Sequence, residues 1–424
     1  MKIAIVGTGI AGNVAAYKLR QQHDITVFES GTYVGGHTNT VDVFENGRKH
    51  AIDTGFIVYN DRTYPNFISL LDEIGQESQP SEMSFSVKAK GDGIEYSGSS
   101  LSSLFAQRRN ILRPRFYRMI RDILRFNQTA LPDIDRLDES ANLGGYLSEN
   151  GYSNEFINHY LVPMAAAIWS AEPVSVLDMP VKFLVRFFAN HGLLQISDRP
   201  VWRVIKGGSR QYVNKLVEGH RDRIRLNSPV KSIRRVDDRI ELHSASGGTE
   251  FFDFVFLGCH SDQALALLDD ATSAEREVLG AIQFQTNEAI LHTDESLMPK
   301  RRRAWAAWNY HIPQDSTRHV AVTYNMNILQ GLDTENQYLV TLNNDQDIDP
   351  GKIIRRVKYE HPIYSRESVV AQQRQADINC DRTFFCGAYW RNGFHEDGVV
   401  SALNAIEHFE ERLSHGKLHL RRAS

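Results

Sequence analysis

Three glycines and a glutamate near the start of this 424-residue chain have the types and spacing to hold a phosphate-bearing ligand. The chain opens Lys2-Ile-Ala-Ile-Val-Gly7-Thr-Gly9-Ile10-Ala11-Gly12 and runs into an alanine-rich stretch. Gly7 permits a tight turn, Gly9 lets backbone approach a pyrophosphate, and Gly12 lets a helix pack close to a strand. The helix N-terminus then turns free N–H groups and a positive dipole end toward the phosphates, with Ile10 and Ala11 in its first turn. Ile25-Thr-Val-Phe-Glu29 follows, and its glutamate stands about 20 residues on, where a carboxylate accepts hydrogen bonds from a ribose diol. The elements that must position these groups are legible too. Ile3 to Val6 is an unbroken apolar run, as in a strand buried on both faces. Strand, glycine turn, helix and second strand together predict a bound dinucleotide.

Further blocks narrow the ligand. Ser30-Gly-Thr-Tyr-Val-Gly35-Gly36-His37-Thr38 resembles the second fingerprint of FAD enzymes, a loop ending in Gly-Gly after the acid. Ile52-Asp53-Thr54-Gly55-Phe56 resembles the segment that runs past the isoalloxazine in the flavin amine oxidase and phytoene desaturase superfamily. Thr383-Phe-Phe-Cys386-Gly387-Ala-Tyr389-Trp390, followed by Gly393-Phe-His395-Glu396-Asp397-Gly398-Val399-Val400, is similar to that superfamily's last strand, flavin loop and final helix. Trp202 to Ser209, with Gly207-Gly208, resembles its mid-chain motif, and Ser228-Pro229-Val230 the strand whose backbone contacts adenine. Gly-Gly-His and Gly-Phe-His-Glu-Asp-Gly resemble a bacterial branch of NAD/FAD-binding, amine-oxidase-like proteins linked to cyclopropane and methyl-branched fatty acid modification.

The resemblance implies an FAD oxidoreductase in which a hydride leaves a substrate carbon for the flavin. It implies FAD diphosphate over Gly9 to Gly12 and Glu29 on the adenosine ribose. Ser30, Gly35, Gly36, His37, Thr38, Thr54, Gly55, Phe56, Val230 and Gly387 fall in the cofactor-binding blocks. Backbone amides of Asp397, Gly398, Val399 and Val400 are expected at the flavin, where a helix N-terminus stabilises developing negative charge. His395 and His37 are the expected acid or base by placement, with hydrogen bonding to cofactor phosphate or ribityl as the other role for His37. Glu396 is a candidate orienting partner of His395, although adjacent residues on an extended loop point apart. Trp390 and Phe394 are expected as aromatic walls, and Trp390 is placed with His395 in the catalytic set. Phe183, Leu184, Phe187, Phe188, Leu193 and Leu194 are expected to form an apolar tunnel. Tyr59, Tyr160, Trp169, His191 and Trp202 suit either cavity or core. Three functions remain open: oxidation or desaturation of a fatty-acyl chain, amine oxidation, or a non-catalytic protein that retains FAD and binds lipid.

Composition fits such an enzyme. The charge of −4 argues against a nucleic-acid partner, and no apolar run is long enough for a membrane span. The first strand begins at Lys2, which predicts no secretory leader, and three scattered cysteines suit a reducing cytoplasm. No Cys or His spacing suits a metal. The oligomeric state is left open.

The expected fold is α/β: a Rossmann-like FAD-binding domain of amine oxidase type (residues 1–71, 202–268 and 383–424), interleaved with an α+β substrate-binding domain (72–201 and 269–382). Ser84 to Ser97 reads as a hairpin turning at Gly91-Asp-Gly93, and 104–193 as mostly helical. Strands are expected at Arg223 to Leu226, Phe252 to Gly258, Val320 to Tyr324 and Tyr338 to Leu342. One segment stands apart. Arg108 to Arg125 holds seven arginines interleaved with Leu112, Phe116, Met119, Ile120, Ile123 and Leu124. It reads as an amphipathic helix, either packed on the core with a solvated arginine face or lying on an anionic membrane. The second reading makes the protein peripheral on the inner membrane face.

Overall fold

The structure, a computed structural model, describes residues 1–195, 197–313 and 321–422, and the side chains of 1–414 within that span. Its nucleus is a five-stranded parallel sheet in the order Ile224–Arg225, Asp24–Phe28, Lys2–Val6, Phe254–Leu257, Thr383–Phe385. Ile3, Ile5, Val255 and Phe256 are wholly buried, as unbroken apolar strands covered on both faces must be. The helix Ile10–Leu19 follows the first strand and packs against the closing helix His395–Arg422. Cys386, wholly buried beside the last strand, is a small packing residue.

The strand expected from Phe252 to Gly258 is broken at Asp253, whose carboxylate accepts the Lys2 N–H at 2.7 Å. Phe252 instead ends the antiparallel strand Gly248–Phe252, which pairs with Arg239–Ser244 and, through it, with Val230–Val236.

A seven-stranded sheet runs Ile353–Pro362, Phe284–His292, Leu339–Leu342, Ala321–Asn325, Trp308–Ile312, Phe85–Ala89, Ile94–Ser97. Phe85–Ala89 and Ile94–Ser97 form the expected hairpin. Val320 lies outside the described residues. The ten-residue edge strand Ile353–Pro362 escaped sequence reading, because Arg355, Arg356 and Lys358 interrupt its apolar pattern. Helices Pro114–Ile134, Val162–Trp169 and Val181–Asn190 pack into one large core with this sheet.

The arginine-rich segment is a short 3-10 turn, Arg108–Leu112, followed by the helix Pro114–Ile134, so the expected helix starts only at Pro114. Phe116, Met119 and Phe126 are buried, while Arg115, Arg118 and Arg121 are exposed. Two smaller elements complete the scaffold: the hairpin Thr40–Glu45 with Arg48–Asp53, and a sheet ordered Val58–Asn60, Trp202–Ile205, Ser78–Pro80. Both lead chain into and out of Thr54 to Ile57, which borders the cavity described next. Among the described residues no helix is long and apolar enough to cross a membrane.

Candidate active site

A cavity of about 640 Å³ runs from the first glycine turn to the seven-stranded sheet. Gly7, Gly9, Ile10, Ala11, Glu29, Ser30, Gly35, Gly36 and Val230 line one part; Ile168, Trp169, Trp308, Tyr324, Leu342 and Tyr364 line another. His37, Thr54, Gly55, Phe56, Gly387, Phe394 and His395 also line it.

The glycine part is built from backbone. Gly7 adopts φ +94° and donates its N–H to the Phe28 carbonyl at 2.8 Å, turning the chain at the strand end. A Cβ on Gly12 would collide with the Gly7 carbonyl, so the helix can sit this close only on glycine. Gly12 therefore acts beneath the cavity rather than on its wall. Gly36, at φ +58°, presses against the Gly9 Cα and brings the second fingerprint loop onto the first. Glu29 is held at the strand end by the N–H of Thr8 at 2.9 Å, the N–H of Gly31 at 2.7 Å and the Thr8 hydroxyl.

His37 lies among groups from three distant segments. Its ring stacks on Tyr359 at 4.9 Å and approaches His361 at 5.3 Å and His260 at 6.2 Å. Its Nε2 is buried without a partner among the described residues. Burial, then the neighbouring imidazoles of His361, His260 and His395, hold His37 well below the usual histidine range. Burial also pushes His361 down to about 4. The Asn287 amide donates to His361 Nδ1 at 2.7 Å, which leaves the neutral ring's proton on Nε2. His260 stacks on Phe284 and contacts Glu360 at 3.2 Å. Sequence reading missed Tyr359 and His361. Their period-two spacing on one strand was the available signal.

His395 opens the closing helix and stacks on Phe56 with ring centroids 3.4 Å apart. Its Nε2 lies 2.9 Å from the Tyr212 hydroxyl and 3.0 Å from that of Thr38, and those hydroxyls are 2.6 Å apart. Burial pushes the ring down to about 3, so it is neutral near pH 7. Thr38 thus supports His395 and does not itself line the cavity.

The structure places several of the expected residues in other surroundings. Glu396 does not orient His395: its carboxylate accepts the N–H groups of Asn66 at 3.1 Å and Phe67 at 2.8 Å, capping the helix Pro65–Glu73. Trp390 is not on the cavity wall: its ring is buried in the core on one face of the parallel sheet, while its neighbour Tyr389 does line the cavity. Asp397, Gly398, Val399 and Val400 do not line the cavity either. The Gly398 N–H is already spent on the Phe394 carbonyl at 3.1 Å, and Gly398 abuts Ile10 where the two helices cross. Free amides of that helix end therefore lie ahead of Gly398. Asp397 accepts the Phe394 N–H at 2.9 Å, and burial pushes its carboxyl up to about 7. Of the expected tunnel residues none lines the cavity. They stand one layer behind, where Phe183 stacks on Tyr364 at 4.7 Å and Phe187 on Phe394 at 5.4 Å. Tyr59, Tyr160, His191 and Trp202 are likewise absent from the wall, which Trp169 joins.

FAD fits this donor set. The glycine cradle leaves room for a diphosphate against backbone amides, Glu29 stands at the end of the second strand, and His37 Nε2 is a buried nitrogen awaiting a partner.

The comparisons agree. Residues 10–332 match the model of the family described as flavin containing amine oxidoreductase. No curated protein matches by sequence. Solved structures share the fold along nearly the whole chain. A protoporphyrinogen-oxidase-like protein from Exiguobacterium sp. 255-15 superposes with TM-score 0.69 at 18% identity, covering 96% of this chain and 98% of its own. A CLA-producing fatty acid isomerase from P. acnes gives 0.66 at 16%, covering 96% and 98%. Cyclohexylamine oxidase from Brevibacterium oxydans IH-35A gives 0.67 at 14%, covering 97% and 99%. The chain belongs to the flavin containing amine oxidoreductase family.

Proposed function

We propose that this FAD-dependent oxidoreductase acts on an apolar, fatty-acyl substrate held in the aromatic part of its cavity, oxidising or desaturating the chain. The observation that carries this reading is the chemistry of that wall. Trp169, Trp308, Tyr324, Leu342, Tyr364 and Ile168 bring no carboxylate to it. The carboxylates on the cavity are Glu29, committed to Thr8 and Gly31, and Glu360, committed to His260 and Gln263. A mostly apolar lining with a few fixed polar atoms is the usual form of such a pocket.

FAD, when bound, supplies the two-electron acceptor. Gly7, Gly9, Gly36 and Glu29 would hold its adenosine diphosphate half; Thr54, Phe56, Gly387 and His395, on the same cavity, would border the remainder. The chain's own contribution is position and exclusion. The Phe56–His395 stack and the Thr38–Tyr212 hydroxyl pair fix one neutral imidazole, so no charge is introduced beside the substrate. Trp169, whose indole N–H donates to the Asn392 carbonyl at 3.2 Å, pins the loop that carries Gly393 and Phe394. The Tyr364 hydroxyl and Trp308 Nε1 are buried without partners among the described residues and border the same space, offering two neutral hydrogen-bonding points to a carboxyl or ester head. On this reading the protein works in the cytoplasm, at the membrane surface that holds esterified acyl chains.

A second reading, amine oxidation, is favoured by the aromatic pair Trp169 and Tyr364 beside Gly393, which suits a neutral amine between two rings. Anaerobic mixing separates the two. The yellow, FAD-loaded protein is mixed with acyl lipids or with primary amines while flavin absorbance is followed. Bleaching by acyl chains is the expected result. Bleaching by amines alone would replace the first reading with the second.

A further inference from the structure

We propose that the face built by Leu101–Arg121 and Lys300–Arg303 is a docking surface for an anionic phospholipid bilayer, with a headgroup pocket at its centre. It gives the proposed membrane setting a place on the molecule, and to that extent rests on the reading above.

Two segments far apart in sequence meet here. The turn Arg302–Ala304 packs against the helix Leu101–Leu104 and the strand Ile94–Ser97. The Lys300 N–H donates to Glu95 at 3.2 Å. Between them lies a pocket of about 420 Å³ lined by Lys88, Lys90, Arg108, Arg109, Lys300 and Arg301, with Glu95 as the carboxylate on its wall. Lys88 is fixed in place, its Nζ donating to the carbonyls of Ser296, Leu297 and Met298 at 3.1, 3.2 and 2.9 Å. Lys90 pairs with Asp347 at 2.8 Å. Among the described residues Arg108, Lys300, Arg301 and Arg303 have no carboxylate within ion-pair distance, and the Arg109 guanidinium donates to the Gly93 carbonyl. A chain with net charge −4 thus concentrates cations on one face. Such an asymmetry orients a protein toward a negative surface.

The helix that follows extends the same field. Arg115 and Arg118 share the single carboxylate of Glu155, and Arg121 and Arg125 share Asp122, so half of that charge is uncompensated. Apolar side chains stand among the cations. Leu112 is 85% exposed and Leu101 77%, with Ile111 and Tyr117 near half. Single exposed apolar residues are ordinary. Several of them beside unpaired arginines are the combination that enters the headgroup region of a bilayer while the charges engage phosphates. A nucleic acid or free anion would use the charges and leave the leucines in water, and the bilayer uses both.

The mode differs from an amphipathic helix lying flat. Phe116, Met119 and Phe126 face the protein core, so insertion is shallow and falls to the tip around Leu112.

The test is co-sedimentation of the full-length, FAD-loaded protein with phosphatidylcholine–phosphatidylglycerol vesicles and with pure phosphatidylcholine vesicles. Binding to the anionic vesicles alone is expected, weakening as salt rises. Replacing Arg301, Arg302 and Arg303 together by Gln should lower partitioning roughly a hundredfold with the flavin spectrum and Tm unchanged. Leu112→Ser should lower it about tenfold. Neither measurement needs turnover, so failure of the acyl-substrate reading and failure of this surface are seen separately. Equal binding to both vesicles, binding to neither, or full binding by the triple variant would overturn the proposal. Release by inorganic phosphate at matched ionic strength would also overturn it, reassigning the pocket to the free anion.

Discussion

The two parts of the cavity are made in different ways. The nucleotide part is built largely from backbone: glycines at 7, 9 and 36 on its wall with Gly12 beneath, one glutamate, and a helix end, all close together in sequence. The aromatic part is side chain, contributed by Trp169, Trp308, Tyr324, Leu342 and Tyr364 from a helix, three sheet strands and a loop. A diphosphate needs close amides and little else, and a short local motif supplies them. An acyl chain or an amine is recognised by shape, which only distant side chains assembled by the whole fold can provide. Changes to the first part should therefore abolish cofactor retention, and changes to the second should alter turnover in a protein that stays yellow.

The largest effect should come from Gly12→Val. Its side chain would run into the Gly7 carbonyl, forcing helix from strand at a cost of about 3 kcal/mol or more. Purified variant is expected colourless, with Tm lowered. A variant that kept both FAD and Tm would erase the distinction between the two parts.

Tyr364→Phe is the sharper probe of the aromatic part. It keeps the ring on Phe183 and removes a hydroxyl that has no partner among the described residues. If that hydroxyl holds the substrate head, kcat/KM falls about tenfold, one hydrogen bond's worth, while FAD content is unchanged. Unchanged kcat/KM with a raised Tm would mean that the hydroxyl is an unsatisfied group and not a recognition point.

The smallest effect, about 1 kcal/mol, is expected for Glu396→Gln. Weaker acceptance from the amides of Asn66 and Phe67 should loosen the start of the helix Pro65–Glu73. Thermal unfolding should register the loss with FAD retained. Loss of activity at unchanged stability would return Glu396 to the role of partner for His395.

Legibility in the sequence followed the same division. Gly7, Gly9, Gly12, Gly36 and Glu29 were readable because their roles depend on neighbours a few positions away. The parallel strands Lys2–Val6 and Asp24–Phe28 were readable for the same reason. Trp308, Tyr324, Tyr359, His361 and Tyr364 were not, because nothing local distinguishes a cavity aromatic from a core one. The apolar run 183–194 shows the converse: it looked like a tunnel and packs one layer behind the wall. The carboxylate of Glu396 was seen as a neighbour of His395, yet adjacent residues at a helix start diverge, and it caps another helix.

The hydrogen bond between Lys2 and Asp253 joins residues 251 positions apart. On the ribosome, at about 5–20 residues per second, the first strand is made roughly 12–50 s before the partner on its far side exists. Asp24–Phe28 covers one edge at once, and the other edge stays open until Phe254–Leu257 is made. The cradle around Gly9 stays incomplete longer still, because Gly387 and His395 border it and come near the end of synthesis. The wall of the cavity is therefore complete only when nearly the whole chain has been made.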